Sequence, residues 1–325
     1  MRVSAFMKYF LAMVLTLAVV GCSKKTTPQT AGETTGGASA ARKLSVAVIP
    51  KSTGGDFWGT VEKGARQAAE DLDVEIRWEG TLSETEIAEQ IKIIDNMLNL
   101  EVDGLALAPL NQVALKKPVA NVAAEGIPVV IFDSAVDGAA HKSFVATDNE
   151  KGGGLAGKHM VALLGDAKGD VLVLRYVQGT GSTEARAKGF IDTLKEAGIS
   201  IVADPYPTDG SVQGAKTTAV NTLETYVKDN KLQLDGVFAC NLYSALGMLE
   251  ALDDLRKAGV EVNAKFIGFD TNEKLLAAVA NDTCAALISQ NPEKMGYLAV
   301  ETTVKLIRGE AMPDRVDTGV ELVTK

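Results

Sequence analysis

The chain has 325 residues, with 42 acidic and 33 basic side chains, and its formal net charge is −9. This acidic balance argues against a nucleic-acid-binding protein, because such proteins need a basic face. The chain contains three cysteines, Cys22, Cys240 and Cys284, so it is not a disulfide-rich scaffold. The spacing of the last two does not decide whether they pair.

The first 42 residues have the features of an export signal and a linker. Arg2 and Lys8 precede an apolar run from Tyr9 to Val20, which is too short for a membrane span. Residues 1–21 are therefore predicted to be a signal peptide. The ending from Leu17 to Cys22 resembles the lipobox of bacterial lipoproteins, which implies cleavage before Cys22 and a lipid on its sulfur. The alternative is an ordinary signal followed by a chance cysteine. Residues 22–42 are rich in Ser, Thr, Gly and Ala, so we predict a disordered tether.

From Lys43 onward, apolar runs recur about every thirty residues, which corresponds to one strand and one helix. Strands are predicted to begin near Leu44, Val74, Gly104, Pro128, Asp170, Ser200, Asp235 and Ala264. Several of these runs are almost continuously apolar, as expected for parallel strands buried on both faces. Helical periodicity separates them, for example at Val61, Ala65, Ala68 and Leu72. The sequence therefore predicts an α/β protein with two doubly wound parallel-sheet (Rossmann-like) lobes.

The stretch 143–154 lies between the two halves of this repeat. Phe144 and Val145 are predicted to end a short strand, and Asp148 or Asn149 is predicted to be a helix N-cap. The glycines at 152–154 are predicted to let a helix pack closely against its neighbour. We interpret the stretch as a hinge; the alternative is an ordinary strand-to-helix turn with a flexible glycine run.

Polar and aromatic side chains follow the predicted strands. In such sheets ligands bind outside the carboxyl ends of the strands. The primary candidates are Phe57, Trp58, Asp133, Ser134, Arg186, Asn241, Asp270 and Gln290. Aromatic rings can stack on the C–H face of a sugar, carboxylates accept hydrogen bonds from hydroxyls, a guanidinium donates to them, and amides do both. This combination suits a small neutral polyol.

Each candidate also has a purely structural alternative. Polar residues after parallel strands are often helix N-caps, and we assign that role to Asp56, Ser182 and Asn272. Asp133 and Asp270, taken singly, are balanced between cap and ligand contact. Either aromatic alone would more often be a core residue. The ligand hypothesis depends on the coincidence of these residues at one edge of both sheets.

The chain from Lys43 to its end resembles the periplasmic sugar-binding proteins of the ribose-binding type, which are type I periplasmic binding proteins and partners of ABC importers. The motifs are Phe57-Trp58, Ile-Phe-Asp133, Ala-Thr-Asp148-Asn149, Arg186-Ala-Lys-Gly-Phe190, Phe-Ala-Cys-Asn241, Ile-Gly-Phe-Asp270, and Gln290 before Asn-Pro292. The resemblance implies that the aromatic pair stacks on the sugar ring. It also implies that Asp133, Arg186, Asn241, Asp270 and Gln290 bind its hydroxyls.

Two positions depart from the ribose-binding pattern. Gly55 replaces an asparagine, and Ser134 replaces an arginine that follows the acid. The loss of that arginine argues for a ligand other than ribose, or for Lys51 or Arg175 serving in its place. Lys51, Gly55, Arg175 and Asp209 are therefore secondary candidates for ligand binding.

The resemblance also implies the organisation and partners of the chain. One lobe would contain 43–147 and 291–318, and the other 148–290 and 319–325. The three hinge crossovers are expected at Thr147–Asp148, Gln290–Asn291 and Thr318–Gly319, with the lobes closing around the ligand. We expect a monomer that needs no metal or cofactor. A lipid at Cys22 would hold it on the periplasmic or cell-surface side of a membrane, where it would deliver a monosaccharide or polyol to an ABC permease.

The sequence also bears on three other functions. Catalysis is disfavoured because the chain has only His141 and His159, no metal-site spacing and no Gly-x-Ser-x-Gly motif, although Asp133 and Asp270 could be imagined as a glycosidase pair. A sugar-responsive repressor would need an N-terminal helix-turn-helix. A chemosensory receptor for a sugar, an inositol or a quorum-signal furanosyl compound remains an alternative, because it would use the same fold and outer faces.

Overall fold

The computed structural model describes residues 42–165 and 169–325, and it contains two six-stranded sheets. The predicted signal peptide, Cys22 and all of the predicted tether except Arg42 lie outside the described residues. In the first sheet the strand order is β13-β5-β4-β3-β1-β2 and neighbouring strands run parallel. Its strands are β1 (Ser45–Ile49), β2 (Glu75–Trp78), β3 (Gly104–Leu107), β4 (Val129–Phe132), β5 (Ser143–Ala146) and β13 (Arg315–Asp317).

The second sheet repeats this arrangement, with the order β14-β12-β11-β10-β6-β7. Its strands are β6 (Asp170–Leu174), β7 (Ser200–Ala203), β10 (Gly236–Ala239), β11 (Lys265–Phe269), β12 (Ala286–Ser289) and β14 (Glu321–Val323). The edge strand β14 runs antiparallel to β12, which the prediction of parallel sheets did not anticipate. A small hairpin of β8 (Val227–Lys228) and β9 (Lys231–Leu232) lies outside both sheets.

Helices cover both faces of each sheet. They are α1 (Asp56–Leu72), α2 (Ile87–Asn99), α3 (Lys116–Ala124), α4 (Asn149–Leu164), α5 (Gly181–Glu196), α6 (Val212–Glu224), α7 (Leu242–Lys257), α8 (Glu273–Ala280) and α9 (Pro292–Ile307). In β1, Val46 and Val48 pack into the same apolar cluster as α1 and α9, whereas Ala47 and Ile49 pack into the cluster that includes α2. Alternate side chains therefore enter two cores, which explains the continuous apolar runs. Each predicted strand start agrees with the structure to within one residue, and the predicted fold class is confirmed.

The helix caps agree only in part with expectation. Asp148 and Asn272 are N-caps that accept hydrogen bonds from the backbone three residues later. The predicted caps Asp56 and Ser182 are wrong. The N-cap of α1 is Gly55, with φ +86°, and that of α5 is Thr180. Ser182 lies inside α5, and its hydroxyl is used in a buried network between the sheets.

Glycines allow two helix pairs to touch through their backbones. A Cβ atom on Gly64 or Gly296, where α1 crosses α9, would lie 1.9 or 2.0 Å from a backbone oxygen of the other helix. The same holds at 2.0 Å for Gly153 and Gly189, where α4 crosses α5. The predicted close packing of the 152–154 glycines is confirmed at Gly153. The equivalent helix pair in each half thus depends on glycine in the same way.

Within residues 42–165 and 169–325, the chain passes from one sheet to the other three times, after β5, after β12 and between β13 and β14. Two of these crossings touch, since the Thr147 hydroxyl lies 3.2 Å from that of Thr318 and donates to the Gly319 carbonyl at 3.1 Å. At the third crossing Asn291 caps α9 by accepting from the amide of Lys294. No helix among the residues described here has the length and apolar character that a membrane crossing requires.

The two cysteines of the folded part are both buried and unpaired. Burial raises the pKa of the Cys240 thiol to about 12 and that of the Cys284 thiol to about 11. Both side chains are therefore uncharged core residues, and they do not form a disulfide with each other.

Candidate functional site

Two aspartates occupy equivalent positions in the two sheets. Asp133 follows β4 and Asp270 follows β11, and each has a left-handed backbone, with φ +61° and +73°. The backbone amide of Asp133 donates to the Val145 carbonyl at 3.1 Å, and that of Asp270 donates to the Ile288 carbonyl at 2.7 Å. Aspartate tolerates this backbone region better than most residues. Such conformations cluster at functional sites, where the surroundings hold them in place.

Both aspartates border one cleft at the carboxyl edges of the two sheets. The lining residues are Lys51, Phe57, Trp58, Glu84, Asp133, Ser182, Thr183, Arg186, Asn241, Leu242, Tyr243, Asp270 and Gln290. The structure therefore brings together every primary candidate except Ser134, with contributions from both sheets.

Lys51 and Asp133 form a buried ion pair at the cleft. Their side chains are each only 4% exposed, and Lys51 Nζ lies 2.6 Å from Asp133 Oδ2. Lys51 Nζ also donates to the hydroxyls of Ser134, at 2.6 Å, and Ser182, at 3.2 Å. The two serine hydroxyls are 2.7 Å apart. Ser134 thus accepts a hydrogen bond from Lys51 and does not itself line the cleft, although the sequence predicted it as a ligand contact.

Arg186 is the second cation of the cleft, and it is held by several groups. Its Nε donates to Asn149 Oδ1 at 2.8 Å, and its Nη1 donates to the Cys240 carbonyl at 3.1 Å and lies 3.7 Å from Asp270 Oδ2. The guanidinium carbon lies 3.8 Å from the ring centre of Phe269. Among the described residues, Nη2 has no hydrogen-bond acceptor. The rigidly held guanidinium therefore leaves Nη2 available to a ligand.

Asp270 is fixed by two donors. Its Oδ2 accepts from the Leu242 amide at 3.0 Å, and its Oδ1 accepts from Gln290 Nε2 at 2.5 Å. Burial raises the pKa of Asp270, although Arg186 and these hydrogen bonds oppose that effect. Gln290 Oε1 is buried and has no partner among the described residues, so it is an acceptor that a ligand could satisfy.

The amide of Asn241 has less freedom than the sequence suggested. Its Oδ1 caps α7 by accepting from the Ser244 amide at 3.0 Å. Only the NH₂ group remains for the cleft, so Asn241 can donate to a ligand but its oxygen is already engaged.

The two aromatic residues at the start of α1 have different environments. Trp58 is 2% exposed, and its ring meets those of Phe57 and Phe132 edge to face, with ring centres 5.1 and 6.3 Å away. Phe57 is half-buried. Trp58 is therefore a core residue as well as a cleft residue. A role in the core and a role in stacking on a ligand do not exclude each other for this pair. Both rings supply an apolar wall for the cleft.

Sequence reasoning missed several cleft residues, and Glu84 and Tyr243 are the most notable. Glu84 Oε1 accepts from Trp58 Nε1 at 2.8 Å, and burial raises the pKa of Glu84. It lies after β2, where the rule that ligands bind beyond strand ends could have found it. Ser83 followed by Glu86 has the sequence pattern of a capping box and so predicts only a helix start here. Half of that box forms, since Glu86 accepts from the Ser83 amide while Ser83 caps no helix.

The other secondary candidates lie outside the cleft lining. Arg175 pairs with Glu184 at 2.8 Å and Asp204 at 3.0 Å. Asp209 is exposed and accepts from the Ser211 amide at 2.8 Å. Gly55 has no side chain to offer, and a Cβ there would lie 2.8 Å from the Tyr243 hydroxyl oxygen. Lys51, and not Arg175, is therefore the additional cation at the site. Within the described ranges no cluster of three or more His, Cys, Asp or Glu could hold a metal ion.

The arrangement is similar to that of known proteins along most of the chain. A D-ribose/D-allose-binding protein of Pseudomonas aeruginosa is 29% identical over 87% of this chain and 89% of its own length. A carbohydrate transporter solute binding protein from Agrobacterium radiobacter, solved in complex with D-arabinose, is 32% identical with a TM-score of 0.81, covering 88% of this chain and 96% of that one. An ABC transporter solute binding protein from Agrobacterium vitis, solved with bound D-fucose, is 34% identical with a TM-score of 0.80, covering 86% and 95%.

The periplasmic binding protein domain matches residues 46–311, which include both sheets almost entirely. This match confirms the resemblance inferred from the motifs, and with it the type I fold. It also confirms the prediction that the chain is not an enzyme, because the family and these relatives are substrate-binding transport proteins. The chain belongs to the family of periplasmic binding protein domains.

Proposed function

We propose that the protein captures a monosaccharide or related polyol between two lobes and delivers it to an ABC-type importer on the outer side of the membrane. The observation that carries this proposal is the convergence of Asp133, Asp270 and Arg186 on one cleft beside Phe57 and Trp58. Charged acceptors and donors next to an aromatic wall suit a neutral ring with many hydroxyls. The sugars bound by the Agrobacterium relatives support the same ligand class.

The two lobes are proposed to consist of 43–147 with 291–318, and of 148–290 with 319–325. The membership of the strands in the two sheets supports this division. Thr147–Asp148, Gln290–Asn291 and Thr318–Gly319 would be the hinge positions, since the chain passes between the sheets there. Closure would be favoured by a ligand that touches both lobes, because such contacts exist only in the closed state.

We expect a ligand other than ribose. The arginine expected at position 134 in the ribose-binding pattern is replaced by a serine, and the cation nearest to it is Lys51, which is already paired with Asp133. A compact ammonium in an ion pair offers a hydroxyl fewer fixed donors than a guanidinium fork does. The ring substituents that suit the part of the cleft beside Lys51 should therefore differ from those of ribose.

A thermal-unfolding screen tests the ligand class. The chain from position 22 onward, carrying Cys22→Ser so that no lipid is attached, would be mixed with pentoses, hexoses, sugar alcohols, inositols and amino acids. A ligand at a hundred times its dissociation constant adds about 2.7 kcal/mol, or several degrees in the midpoint. We expect at least one sugar or polyol to give this shift and Asp270→Asn to remove it. A response to amino acids alone would contradict the proposal.

We also propose that a lipid on Cys22 anchors the protein to the membrane, on the basis of the sequence from Leu17 to Cys22. In cells fed a labelled fatty acid, the wild-type protein should carry label and partition into detergent, and Cys22→Ser should do neither. A wild-type protein that stays unlabelled and aqueous would argue for an ordinary signal peptide. A single acyl chain binds membranes weakly, so stable anchoring needs the two chains that a diacylated cysteine provides.

A further inference from the structure

The two carboxylate oxygens of Glu84 have different surroundings. Oε1 accepts a hydrogen bond from Trp58 Nε1 at 2.8 Å. The Tyr176 hydroxyl lies near this carboxylate, but it donates its proton to the Gly210 carbonyl at 2.9 Å. Oε2 is therefore left without a hydrogen-bond donor in the described ranges, although the residue as a whole is only 9% exposed. Because Glu84 lines the cleft, this oxygen is a polar group that the protein leaves for a ligand or water to satisfy.

The loop that carries Glu84 is held firmly on both sides. Glu86 Oε2 accepts from the amides of Leu82 and Ser83, at 3.0 and 3.2 Å. The Thr81 hydroxyl donates to the Lys51 carbonyl at 2.6 Å, and the Thr81 carbonyl accepts from the Thr53 amide at 3.0 Å. The loop is thus tied to the segment that also supplies Lys51. A ligand contact through Glu84 would cost little ordering, which is the advantage of a preorganised site.

Charged and titratable groups on several elements interact electrostatically with Glu84. They are Lys51 after β1, Asp133 after β4, Asp270 after β11, Tyr176 after β6 and Tyr243 on α7. Burial raises the pKa of Glu84, while Lys51 and the bond from Trp58 lower it. The carboxylate can accept from a hydroxyl, and the protonated acid can donate to one. Glu84 can therefore bind a hydroxyl in either form.

We propose that Glu84 is a specificity-determining ligand contact, with Oε2 hydrogen-bonded to one hydroxyl of the bound polyol beside the ring of Trp58. This inference rests on the proposed function, because it needs a hydroxylated ligand in the cleft. A site built to bond a hydroxyl rejects analogues that lack it, since its own buried polar group is then left unpaired. Glu84 thus selects for one ring position.

Glu84 could instead act solely by orienting Trp58. The two roles differ in how they respond to changes in the ligand. Loss of an orienting residue weakens every ligand that stacks on Trp58 by the same factor. Loss of a hydroxyl contact affects only ligands that carry that hydroxyl, which a double-mutant cycle between protein and ligand detects.

The test is calorimetric titration of wild type and Glu84→Ala with the ligand found in the screen and with each of its monodeoxy analogues. We expect Glu84→Ala to weaken the parent ligand about 10- to 100-fold. For one deoxy analogue the two proteins should bind within about twofold of each other. If Glu84→Ala does not fold, Glu84→Gln, which keeps an acceptor for Trp58, is measured by the same criterion.

Glu86→Gln is the matched control, because Glu86 holds the loop backbone but does not line the cleft. Glutamine keeps an oxygen that can accept from the loop amides, so the loop stays in place and the affinities for the parent and for all analogues should change by one common factor. An equal loss for every analogue with Glu84→Ala, or no loss at all, would overturn the Glu84 proposal alone. A wild-type protein that binds no sugar or polyol would overturn the proposed function and this inference with it.

Discussion

Asparagine in place of Asp133 is expected to lower the free energy of unfolding of the ligand-free protein by about 3 kcal/mol and to weaken ligand binding at least 100-fold. The substitution leaves the charge of Lys51 buried without its partner, and breaking one side of a buried pair is far costlier than removing both. Asparagine also tolerates the left-handed backbone at position 133, where φ is +61°. The loss can therefore be assigned to the charge and not to backbone strain.

A double-mutant cycle measures the coupling energy between Lys51 and Asp133 separately from the effect of each single substitution. Urea unfolding would be measured for Asp133→Asn, for Lys51→Met and for the two combined. We expect the double variant to lose clearly less stability than the sum of the single variants, because it contains no unpaired charge. Additive losses would show that the 2.6 Å ion pair contributes no coupling energy. All three variants should fail to respond in the thermal screen.

Gly153→Ala is expected to destabilise the protein by about 3 kcal/mol or to prevent folding. Its Cβ would lie 2.0 Å from the carbonyl oxygen of Arg186, which is backbone and cannot move aside without separating α4 from α5. Overpacking of this kind commonly costs 1–3 kcal/mol, and more where the backbone must shift. Because the contact is made by Arg186 itself, any variant protein that does fold should also bind its ligand more weakly.

Gly154→Ala is the matched control for this substitution, since it adds the same methyl group one residue later in the same helix. The new Cβ would have its nearest contact at 3.5 Å, on Thr193 Oγ1. Alanine favours helix over glycine by about 1 kcal/mol, so Gly154→Ala should be neutral or slightly stabilising. Chemical denaturation of the two variants tests the comparison, and equal stabilities would contradict the close backbone contact at Gly153.

Most of the fold could be predicted because its central strands are buried on both faces. Runs such as Val129–Phe132 and Gly236–Ala239 admit few other interpretations, and their spacing of about thirty residues implies intervening helices. The edge strands could not be found in this way. Arg315–Asp317 and Glu321–Val323 have three residues each with alternating or exposed side chains, so their apolar content carries little signal. Their pairing is decided by the rest of the sheet.

The candidate site was predictable where residues directly follow strands, as at Asp133 and Asp270. It was less predictable where a side chain's partner is distant in sequence. The hydroxyls of Ser134 and Ser182 lie 2.7 Å apart, although the residues are 48 positions apart in the sequence. The local sequence therefore could not show that Ser134 lies outside the cleft lining, or that Ser182 does not cap its helix. Glu84 reaches the cleft from a loop whose local sequence indicated only a helix start.

The contact of Ser182 with Ser134 and Lys51 has a kinetic consequence. Ser182 belongs to a helix of the second sheet, whereas Ser134 and Lys51 follow strands of the first, and all three side chains are almost completely buried. In the proposed motion, opening of the cleft breaks these bonds, so they add to the barrier for ligand release and slow dissociation. The residence time of the ligand would then depend partly on bonds that it does not make, and any importer that empties the cleft must break them.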